Sequence, residues 1–476
     1  MKLTLIHPCI GRRVGQPYIR TWQMEPLPPA VIAGLTPPEV ELAFYDDRME
    51  DIPFDEPTDL VALSVETYTA KRAYQIASEY RRRGVPVVMG GFHASLCPEE
   101  LSQYAESVVI GEAEGLWERV LADAERGALE PYYQLPGRPS LAGLRPDRSI
   151  YQGKRYLPIG LVEAGRGCHF KCDFCAVQTI FNHTQTRRPP GDILEELERL
   201  RDKPLIFFVD DNITSNMAQA KEFFRALIPL KIKWVSQASI NAAHDEEFLD
   251  LIVASGCQGL LIGFESLNPA NLKKMNKGFN MMQGGFERAL ANLRRHNLRL
   301  YITFIFGYDE DTEASFGETV AFALKHNFYI AAFNHLTPFP GTPLYTSLQA
   351  QGRLLYDSWW LDERYRYNKI PFQPVRMSPE RLQLGCVQAR AEFYSLKNIW
   401  RRGLDPVSRS DAKMWWHYYG INYLFRREVS QRDEYPLGDE AWRGKLIKVR
   451  ERPLPRPAQP APGPRGRVGL NVELDG

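Results

Sequence analysis

Short apolar runs recur along residues 1–345, and most are followed by a stretch in which apolar residues repeat at helical spacing. This alternation of strand and helix is typical of a parallel sheet with helices packed against it. The pattern therefore predicts an α/β fold, with a helix at Ala70–Arg83. In residues 1–140 the predicted strands are Leu3–Ile6, Val40–Tyr45, Leu60–Val65, Pro86–Met89 and Ser107–Ile110.

A second series of strands follows a linker. Residues Pro131–Lys154 are rich in Pro, Gly and Arg without clear periodicity, as a connection between domains would be. The strand and helix pattern then resumes, with a helix predicted at Gly191–Leu200. The predicted strands of this second series are Ile159–Glu163, Leu205–Val209, Lys233–Ser239, Gly259–Gly263, Leu300–Phe306 and Ile330–Phe333.

The C-terminal part has a different pattern. Helices are predicted at Leu348–Leu355 and Pro379–Trp400, and an aromatic cluster follows at Met414–Tyr419. These aromatic residues suit an apolar substrate channel, a membrane interface, or packing of the C-terminal helices onto the preceding domain, and we favour packing. The sequence therefore predicts two α/β domains, a helical region and a disordered Pro- and Gly-rich tail, which cover residues 1–140, 141–345, 346–450 and 451–476.

Composition narrows the class of protein. The chain of 476 residues has 59 basic and 58 acidic side chains and a formal charge of +1, so no overall field attracts nucleic acid and no such partner is expected. No apolar run is long enough to cross a bilayer. Cys9, Cys97, Cys257 and Cys386 are scattered singly, as reduced thiols of a cytoplasmic enzyme would be. Association with a membrane surface stays open, and the sequence does not indicate an oligomeric state.

The remaining three cysteines form a concentrated motif. Cys168, Cys172 and Cys175 have the spacing C-x3-C-x2-C. Thiolates this close can bind one soft metal centre, because thiolates select zinc, copper(I) or iron–sulfur clusters. A structural zinc site normally has four protein ligands, whereas three thiolates on a [4Fe–4S] cluster leave one iron free for another ligand. The number of cysteines therefore favours the cluster.

With Phe174 just before its third cysteine, this motif resembles the cluster loop of radical S-adenosylmethionine enzymes. In that family S-adenosylmethionine binds the free iron and is cleaved to a 5′-deoxyadenosyl radical. The resemblance implies a partial (β/α)6 barrel, with the cluster loop at its carboxyl-terminal rim, and an external electron donor of the flavodoxin or ferredoxin type. The residues that it places at S-adenosylmethionine are Phe174, Asp210, Asp211, Ser239, Glu265, Ser266, Ile305 and Gly307.

Some of these assignments have alternatives. Asp210 and Asp211 could contact the amino group of S-adenosylmethionine, support the loop, or cap a helix that begins near Ser215. The segment around Ile305 lacks the first glycine of the family's adenine-contacting pattern. His335, at the barrel rim, suits a substrate contact or a structural role, and the sequence assigns no catalytic residue.

The strand ends of residues 1–140 carry a second resemblance. The segments V-V-M-G-G-F-H-A-S, from residue 87, and V-I-G-E-A-E, from residue 109, are similar to the Rossmann-like cobalamin-binding domain of one radical S-adenosylmethionine subclass. The D-x-H-x-x-G loop of some cobalamin proteins is absent, so the lower face of cobalt has no assigned ligand. The alternative is a docking domain that binds nothing. The predicted cobalamin contacts are Ser64, Thr67, Gly90, Gly91, His93, Gly111 and Glu112.

Both resemblances together imply a cobalamin-dependent radical S-adenosylmethionine enzyme. We expect a C-methyltransferase that acts on an unactivated carbon of a small-molecule, lipid or peptide substrate, because methylation is the commonest reaction of that subclass. The same subclass also performs cyclisation, ring rearrangement and carbon–carbon coupling. A methylthiotransferase would carry a second three-cysteine cluster in its first domain, and a non-catalytic iron–sulfur sensor would not need the S-adenosylmethionine residues.

Overall fold

A parallel sheet organises the first part of the structure, a computed structural model that describes residues 1–457. The strands here are β1 (Lys2–His7), β2 (Gly11–Arg12), β3 (Glu41–Asp46), β4 (Leu60–Ser64), β5 (Val87–Gly90), β6 (Ser107–Ile110) and β7 (Tyr132–Gln134). All except β2 join one sheet in the order β3-β1-β4-β5-β6-β7, and every pair is parallel. The five predicted strands differ from the observed ones only at their ends.

Helices cover both faces of this first sheet. They are α1 (Leu27–Leu35), α2 (Ala70–Arg82), α3 (Phe92–Leu96), α4 (Pro98–Leu101) and α5 (Trp117–Glu125). Successive side chains of a strand point to opposite faces. Val87 and Met89 of β5 therefore pack with α2, whereas Val88 packs with α1 and α5. The sequence did not predict α1, whose prolines lie in its first turn, where they are tolerated.

The predicted linker contains a strand. Tyr132, Tyr133 and Gln134 pair with Val108, Val109 and Ile110 and so add β7 to the edge of the first sheet. The prediction of an unstructured connection from Pro131 was therefore wrong for these residues. A three-residue strand of two tyrosines and a glutamine has too few alternating apolar positions to be recognised without its neighbour.

A second parallel sheet follows, with its strands in sequence order. The strands after the linker are β8 (Ile159–Val162), β9 (Gly165–Gly167), β10 (Gln185–Arg187), β11 (Leu205–Phe208), β12 (Trp234–Ala238), β13 (Cys257–Glu265), β14 (Arg299–Phe306) and β15 (Ile330–His335). The sheet order is β15-β14-β13-β12-β11-β8, as a partial barrel of six strands requires, while β9 and β10 form a separate antiparallel pair. The predicted fold class, a Rossmann-like domain followed by a partial barrel, is confirmed.

The helices of the second domain pack on one face of its sheet. They are α7 (Pro190–Arg199), α8 (Met217–Leu227), α9 (Glu246–Ala254), α10 (Pro269–Lys274), α11 (Gly285–Arg295) and α12 (Glu313–Lys325), while the short α6 (Ala176–Phe181) lies against α3 of the first domain. Ile302 and Phe304 of β14 are fully buried in the core that the sheet forms with these helices. Tyr301, Thr303 and Ile305 lie on the opposite face and are only half-buried. The partial barrel thus keeps a face that the helices do not cover.

The C-terminal region is mainly helical, as predicted, but its boundaries differ. The elements are α13 (Pro343–Ala350), α14 (Pro379–Phe393), α15 (Leu396–Gly403), α16 (Pro406–Arg409), α17 (Ala412–Arg432) and the short strand β16 (Gly438–Asp439). The predicted helix Leu348–Leu355 ends early, because Leu354 forms a bridge with Phe372. The predicted helix Pro379–Trp400 is broken at Ser395, whose side chain caps α15.

The end of the described chain returns to the first domain. The strand β16 pairs with β2, and further along the backbone N–H of Leu454 donates to Ser102 Oγ at 3.0 Å. The predicted disordered tail is therefore wrong for residues 451–457, which lie along the first domain, and its remainder, residues 458–476, is outside the described residues. Among residues 1–457, no helix is both long and apolar enough to span a membrane.

Candidate functional site

The cysteine loop lies where the second sheet begins. It leaves β9, which pairs with β10, and it runs into α6. Cys172 is buried, whereas Cys168 and Cys175 are half-buried, and all three are free thiols. The backbone N–H of Cys175 donates to the carbonyl of Cys172 at 3.2 Å, so the second half of the motif is a tight turn. The loop thus presents three sulfurs at one end of the partial barrel, as a cluster ligand set must.

Burial disfavours ionisation of two of the three thiols, as it also does for Cys257 and Cys386 outside the motif. Burial raises the pKa of Cys172 to about 12, although the nearby Lys277 opposes this shift. Burial also raises the pKa of Cys175, against the backbone N–H groups of Gln178 and Val177. Because bound metal stabilises thiolate over thiol, iron would supply the charge that these positions lack. Among residues 1–457, no group of His, Cys, Asp or Glu is arranged to hold a single metal ion.

Two predicted carboxylates hold the cluster loop in place. Asp210 Oδ1 accepts from the backbone N–H of Ala164, and Asp211 Oδ2 accepts from that of Gly167, each at 2.7 Å. Burial raises the pKa of Asp210 to about 6. The helix-capping alternative is not observed, because α8 is capped by Asn216, which accepts from Gln219. In the structure, both aspartates therefore bind the loop that leads to the cysteines.

An amide links the loop to the third barrel strand. Asn212 Nδ2 lies 3.6 Å from Cys168 Sγ and donates to Ser239 Oγ at 2.8 Å. Asn212 therefore connects the predicted S-adenosylmethionine contact Ser239 to the first cysteine of the motif. Phe174 packs partly against the barrel core. Sequence reasoning did not single out Asn212, although it directly follows the two aspartates.

The fourth barrel strand ends in an ion pair. Glu265 Oε1 lies 2.7 Å from Lys277 Nζ, and Glu265 Oε2 accepts from Thr303 Oγ1 at 3.2 Å. A Cβ at Gly263 would lie 2.0 Å from Glu265 Oε1, so this position must be glycine for the carboxylate to fold back. Glu265 itself has φ 63°, a backbone conformation that is uncommon for a non-glycine residue. Ser266 is buried beside it.

The fifth strand leads into a turn that depends on glycine. Gly307 has φ +114°, and a Cβ there would lie 2.8 Å from Leu382 and 2.9 Å from Phe372. Its backbone N–H donates to Asp311 Oδ2 at 2.9 Å. The predicted contact Ile305, two residues earlier, is half-buried on the sheet face that the helices leave uncovered. The turn therefore fits a backbone contact at this rim.

A cavity of about 380 Å³ lies between the two sheets. The first sheet contributes one wall, at the carboxyl ends of β4, β5 and β6, and the helices α1 and α5 extend it. The cluster loop region contributes the other, including Arg166, Phe181 and Asp211. The predicted cobalamin contacts that line the cavity are Ser64, Gly90, Gly91, Gly111 and Glu112.

The glycines of this wall fit a bulky ligand. Gly91 has φ +98°, and a Cβ there would lie 2.8 Å from the backbone of Val65. Gly111 has φ +83° and no atom within 4 Å of its Cβ position, so it leaves open space on the cavity side. Together with apolar lining residues such as Leu27, Val31 and Trp117, these glycines fit cobalamin, whose ring needs close backbone approach.

Two predicted cobalamin contacts are placed elsewhere. His93 is fully buried, with Nδ1 3.2 Å from Thr67 Oγ1 and Nε2 3.2 Å from Glu100 Oε1. Its ring also packs edge-on against Trp360. Neither His93 nor Thr67 lines the cavity, because the turn after β5 directs the histidine toward the helices on the other side. In this structure both residues therefore support the turn after β5, and their assignment as cofactor contacts stays a prediction.

An ion-pair network joins the cavity to the cluster loop. Arg166, two residues before Cys168, lies within 2.6 Å of Glu163, 2.7 Å of Glu114 and 3.3 Å of Glu112. Arg138 also pairs with Glu112, at 2.8 Å. Burial raises the pKa of Glu163 to about 7, although Arg166 opposes this shift. The sequence reasoning missed Arg166, because two of its three partners, Glu112 and Glu114, come from the first domain and lie far from it in the chain.

The burial of His335 decides between its two predicted roles. His335 is buried, and its pKa is lowered to about 4 by burial. Its Nδ1 lies 3.0 Å from the carbonyl oxygen of Leu336, so the structural alternative fits it better than a substrate contact.

Sequence reasoning also missed Lys277, the partner of Glu265. It lies in a loop after α10, and no motif in the surrounding sequence could have identified it. Glu66 lines the cavity and forms no ion pair within the described residues.

Comparisons with known proteins agree with this site. Residues 162–323 match the Radical SAM superfamily. The chain is 32% identical over 414 residues to bacteriochlorophyllide d C-12(1)-methyltransferase of Chlorobaculum tepidum, covering 84% of this chain and 88% of that protein. It is 28% identical to bacteriochlorophyllide d C-8(2)-methyltransferase of the same organism, covering 79% and 86%. The structure of the radical S-adenosylmethionine methyltransferase TsrM from Kitasatospora setae, with cobalamin and a [4Fe–4S] cluster bound, aligns with a TM-score of 0.62 at 16% identity and covers 90% of this chain and 99% of that one.

The fold and the two neighbouring sites define a radical S-adenosylmethionine enzyme with a cobalamin-binding domain. The chain belongs to the family of cobalamin-dependent radical S-adenosylmethionine methyltransferases. The expected cofactors, a [4Fe–4S] cluster, S-adenosylmethionine and cobalamin, are confirmed. The alternatives of a methylthiotransferase and of a non-catalytic sensor do not fit this family.

Proposed function

We propose that the protein methylates an unactivated carbon at the periphery of a chlorin-type tetrapyrrole. The observation that supports this proposal is the cavity between the first sheet and the cluster loop, because a methyl-carrying cofactor bound there would lie beside the source of the radical. When bound, S-adenosylmethionine at the cluster supplies a hydrogen-abstracting radical and cobalamin supplies the methyl group. The substrate class is taken from the two relatives that act on bacteriochlorophyllide d.

The residues of the chain would position these groups. We propose Cys168, Cys172 and Cys175 as the cluster ligands, with Asp210 and Asp211 fixing their loop through backbone hydrogen bonds. Six residues are proposed to surround S-adenosylmethionine: Phe174, Ser239, Glu265, Ser266, Ile305 and Gly307. Six others are proposed to hold cobalamin: Ser64, Glu66, Gly90, Gly91, Gly111 and Glu112, all of which line the cavity.

The uncovered face of the partial barrel suits an apolar substrate. On β14 it presents Tyr301, Thr303 and Ile305, and on β15 it presents Ala332 and the exposed Asn334. None of these side chains is charged at neutral pH. An extended apolar ring system can pack on such a surface, and Asn334 offers a hydrogen-bonding group for orientation.

Electrons are proposed to come from an external flavodoxin- or ferredoxin-type protein. The cysteines outside the motif are Cys9, Cys97, Cys257 and Cys386, and they are separate free thiols that are buried or half-buried. Within the described residues they therefore do not form a second cluster site that could relay electrons. A reducing partner must approach the cluster loop from outside.

The experiment is an anaerobic assay of reconstituted enzyme with cobalamin, a reductant, a chlorophyllide substrate and S-adenosylmethionine carrying a CD3 group. We expect a product in which CD3 replaces one hydrogen, with S-adenosylhomocysteine and 5′-deoxyadenosine in equal amounts. 5′-Deoxyadenosine with an unmethylated, rearranged product would contradict methyl transfer and support cyclisation or coupling. Failure with chlorins but methylation of another substrate would overturn the substrate class alone.

A further inference from the structure

Two C-terminal helices present an apolar surface that the rest of the described chain leaves open. On α15 the side chains of Leu396 and Trp400 are exposed, as is Leu404 directly after the helix, and on α17 Trp416 and Tyr423 are exposed. Trp416 is 69% exposed and Trp400 is 63% exposed, which is unusual for the largest apolar side chain. We call these five residues the α15/α17 face.

The aromatic rings of this face are continuous from one helix to the other. Trp400 lies 6.3 Å from Tyr419, Tyr419 lies 5.6 Å from Trp415, and Trp415 lies 5.7 Å from Trp416, between ring centroids. The opposite stripe of α17, with Met414 and Tyr418, is already buried against the protein. The exposed stripe is therefore not needed to attach the helix, and the packing role favoured from the sequence applies to the buried stripe.

Positive charge surrounds the face. Residues 394–432 contain eight Lys or Arg and three Asp or Glu, although the whole chain has a formal charge of +1. The three acidic residues are engaged with basic partners: Asp405 with Arg294, Asp411 with Lys233 and Glu428 with Arg432. Six basic residues are exposed and form no ion pair within residues 1–457: Lys397, Arg401, Arg409, Lys413, Arg426 and Arg427.

We propose that the α15/α17 face docks the enzyme on an anionic membrane surface. Tryptophan and tyrosine side chains favour the boundary between lipid headgroups and acyl chains, and leucines between them add buried apolar area. Unpaired Lys and Arg near an anionic leaflet each contribute about 1 kcal/mol of attraction. The apolar centre and the basic surroundings are both required for such docking, and the face has both.

A second copy of the chain fits this face less well. A symmetric dimer would place the same patch of each subunit against its partner. The six unpaired cations of one copy would then face those of the other without acidic partners. Charge complementarity therefore selects a negatively charged lipid surface, and attachment would be peripheral, because no helix of residues 1–457 is suited to span a bilayer.

The test uses the full-length reconstituted enzyme and sedimentation with vesicles of phosphatidylcholine alone or mixed with phosphatidylglycerol. We expect binding to the anionic vesicles, weakening as salt is raised, and little binding to phosphatidylcholine alone. The double variant Arg426→Glu and Arg427→Glu should bind the anionic vesicles about 30-fold or more weakly, because two attractive charges are lost and reversed. The double variant Trp400→Ala and Trp416→Ala should also lose binding and should lose quenching of its fluorescence by brominated lipid chains.

Two control variants distinguish loss of the α15/α17 face from a general effect of changing surface residues. Arg288→Glu and Val253→Ala change an exposed cation and an exposed apolar residue elsewhere on the barrel and should leave vesicle binding unchanged. Iron content and thermal unfolding verify that each variant is folded. Equal binding to both vesicle types, or patch variants that bind like the controls, would overturn the proposal. So would a dimer in analytical ultracentrifugation that the tryptophan variant dissociates.

Discussion

The two walls of the central cavity hold their ligands in different ways. The first-sheet wall is built from small residues at strand ends, such as Ser64, Gly90 and Gly111, and it offers shape and open space. The opposite wall is charged and internally bonded, with Arg166 among carboxylates and Asp211 bound to the loop backbone. A large rigid ring system can be held by a wall that matches its shape. A cluster loop instead needs hydrogen bonds and ion pairs within the protein to fix the positions of its cysteine ligands.

The largest expected effect comes from removing a cluster ligand. Cys172→Ala takes away the buried thiol of the motif, so we expect loss of most bound iron and no detectable 5′-deoxyadenosine. Iron analysis, electron paramagnetic resonance and product analysis measure this. Cys257→Ala, which changes a buried cysteine outside the motif, is the control and should keep its iron. A Cys172→Ala protein with full iron and activity would contradict the cluster assignment.

Filling the first-sheet wall should remove cobalamin while sparing the cluster. A Cβ at Gly90 would meet Val109 at 3.6 Å, an ordinary contact, so Gly90→Leu can fold with its side chain in the cavity. We expect retention of cobalamin after desalting to fall from about one per chain to near zero, measured by absorbance, with iron unchanged. Gly317→Leu, on the exposed face of α12, is the matched control. Undiminished cobalamin in Gly90→Leu would place the cofactor elsewhere.

Removing Arg166, which joins the two walls of the cavity, should weaken both the cluster site and the cobalamin site. Arg166→Met leaves Glu112, Glu114 and Glu163 without their shared cation, and we expect a loss of about 3 kcal/mol in the free energy of unfolding. Iron and cobalamin contents should fall together. Arg199→Met breaks an exposed ion pair with Glu195 and should cost less than about 1 kcal/mol. Equal stability of the two variants in denaturant titrations would show that the network does not join the walls.

The last expected effect is a change in the pH dependence of stability. Burial raises the pKa of Glu163 from 4.5 to about 7, so the folded protein keeps a proton that the unfolded chain releases at lower pH. Its contribution to the free energy of unfolding therefore falls between about pH 4.5 and pH 7, by up to about 1.4 kcal/mol per pH unit. Glu163→Gln should remove the part of the slope that Glu163 contributes in denaturant titrations across that range, whereas Asp210 and Asp311, whose pKa burial also raises to about 6, keep theirs. An unchanged slope would show that Glu163 ionises normally in the folded state.

Most strands and helices could be predicted from the local pattern of apolar residues. The errors of that prediction lie where packing between distant segments determines the structure. Strands such as Leu60–Val65 and Leu300–Phe306 contain enough apolar residues to be recognised from the sequence alone. The strand Tyr132–Gln134 exists because β6 offers an edge to pair with. The break at Ser395 follows from its capping hydrogen bond, which the helical pattern on either side conceals.

The sequence by itself determined the chemistry of this protein, because a cysteine motif and glycine pairs act through residues close together in the chain. Cys168, Cys172 and Cys175 predict a cluster whatever surrounds them, and Gly91 must be glycine for its own φ angle. Tertiary structure alone decided which long-range partners these segments meet. It turned His93 toward Glu100 and away from the cavity, and it brought Glu112 and Glu114 to Arg166. Such contacts depend on how separate sheets pack, and no local spacing records that.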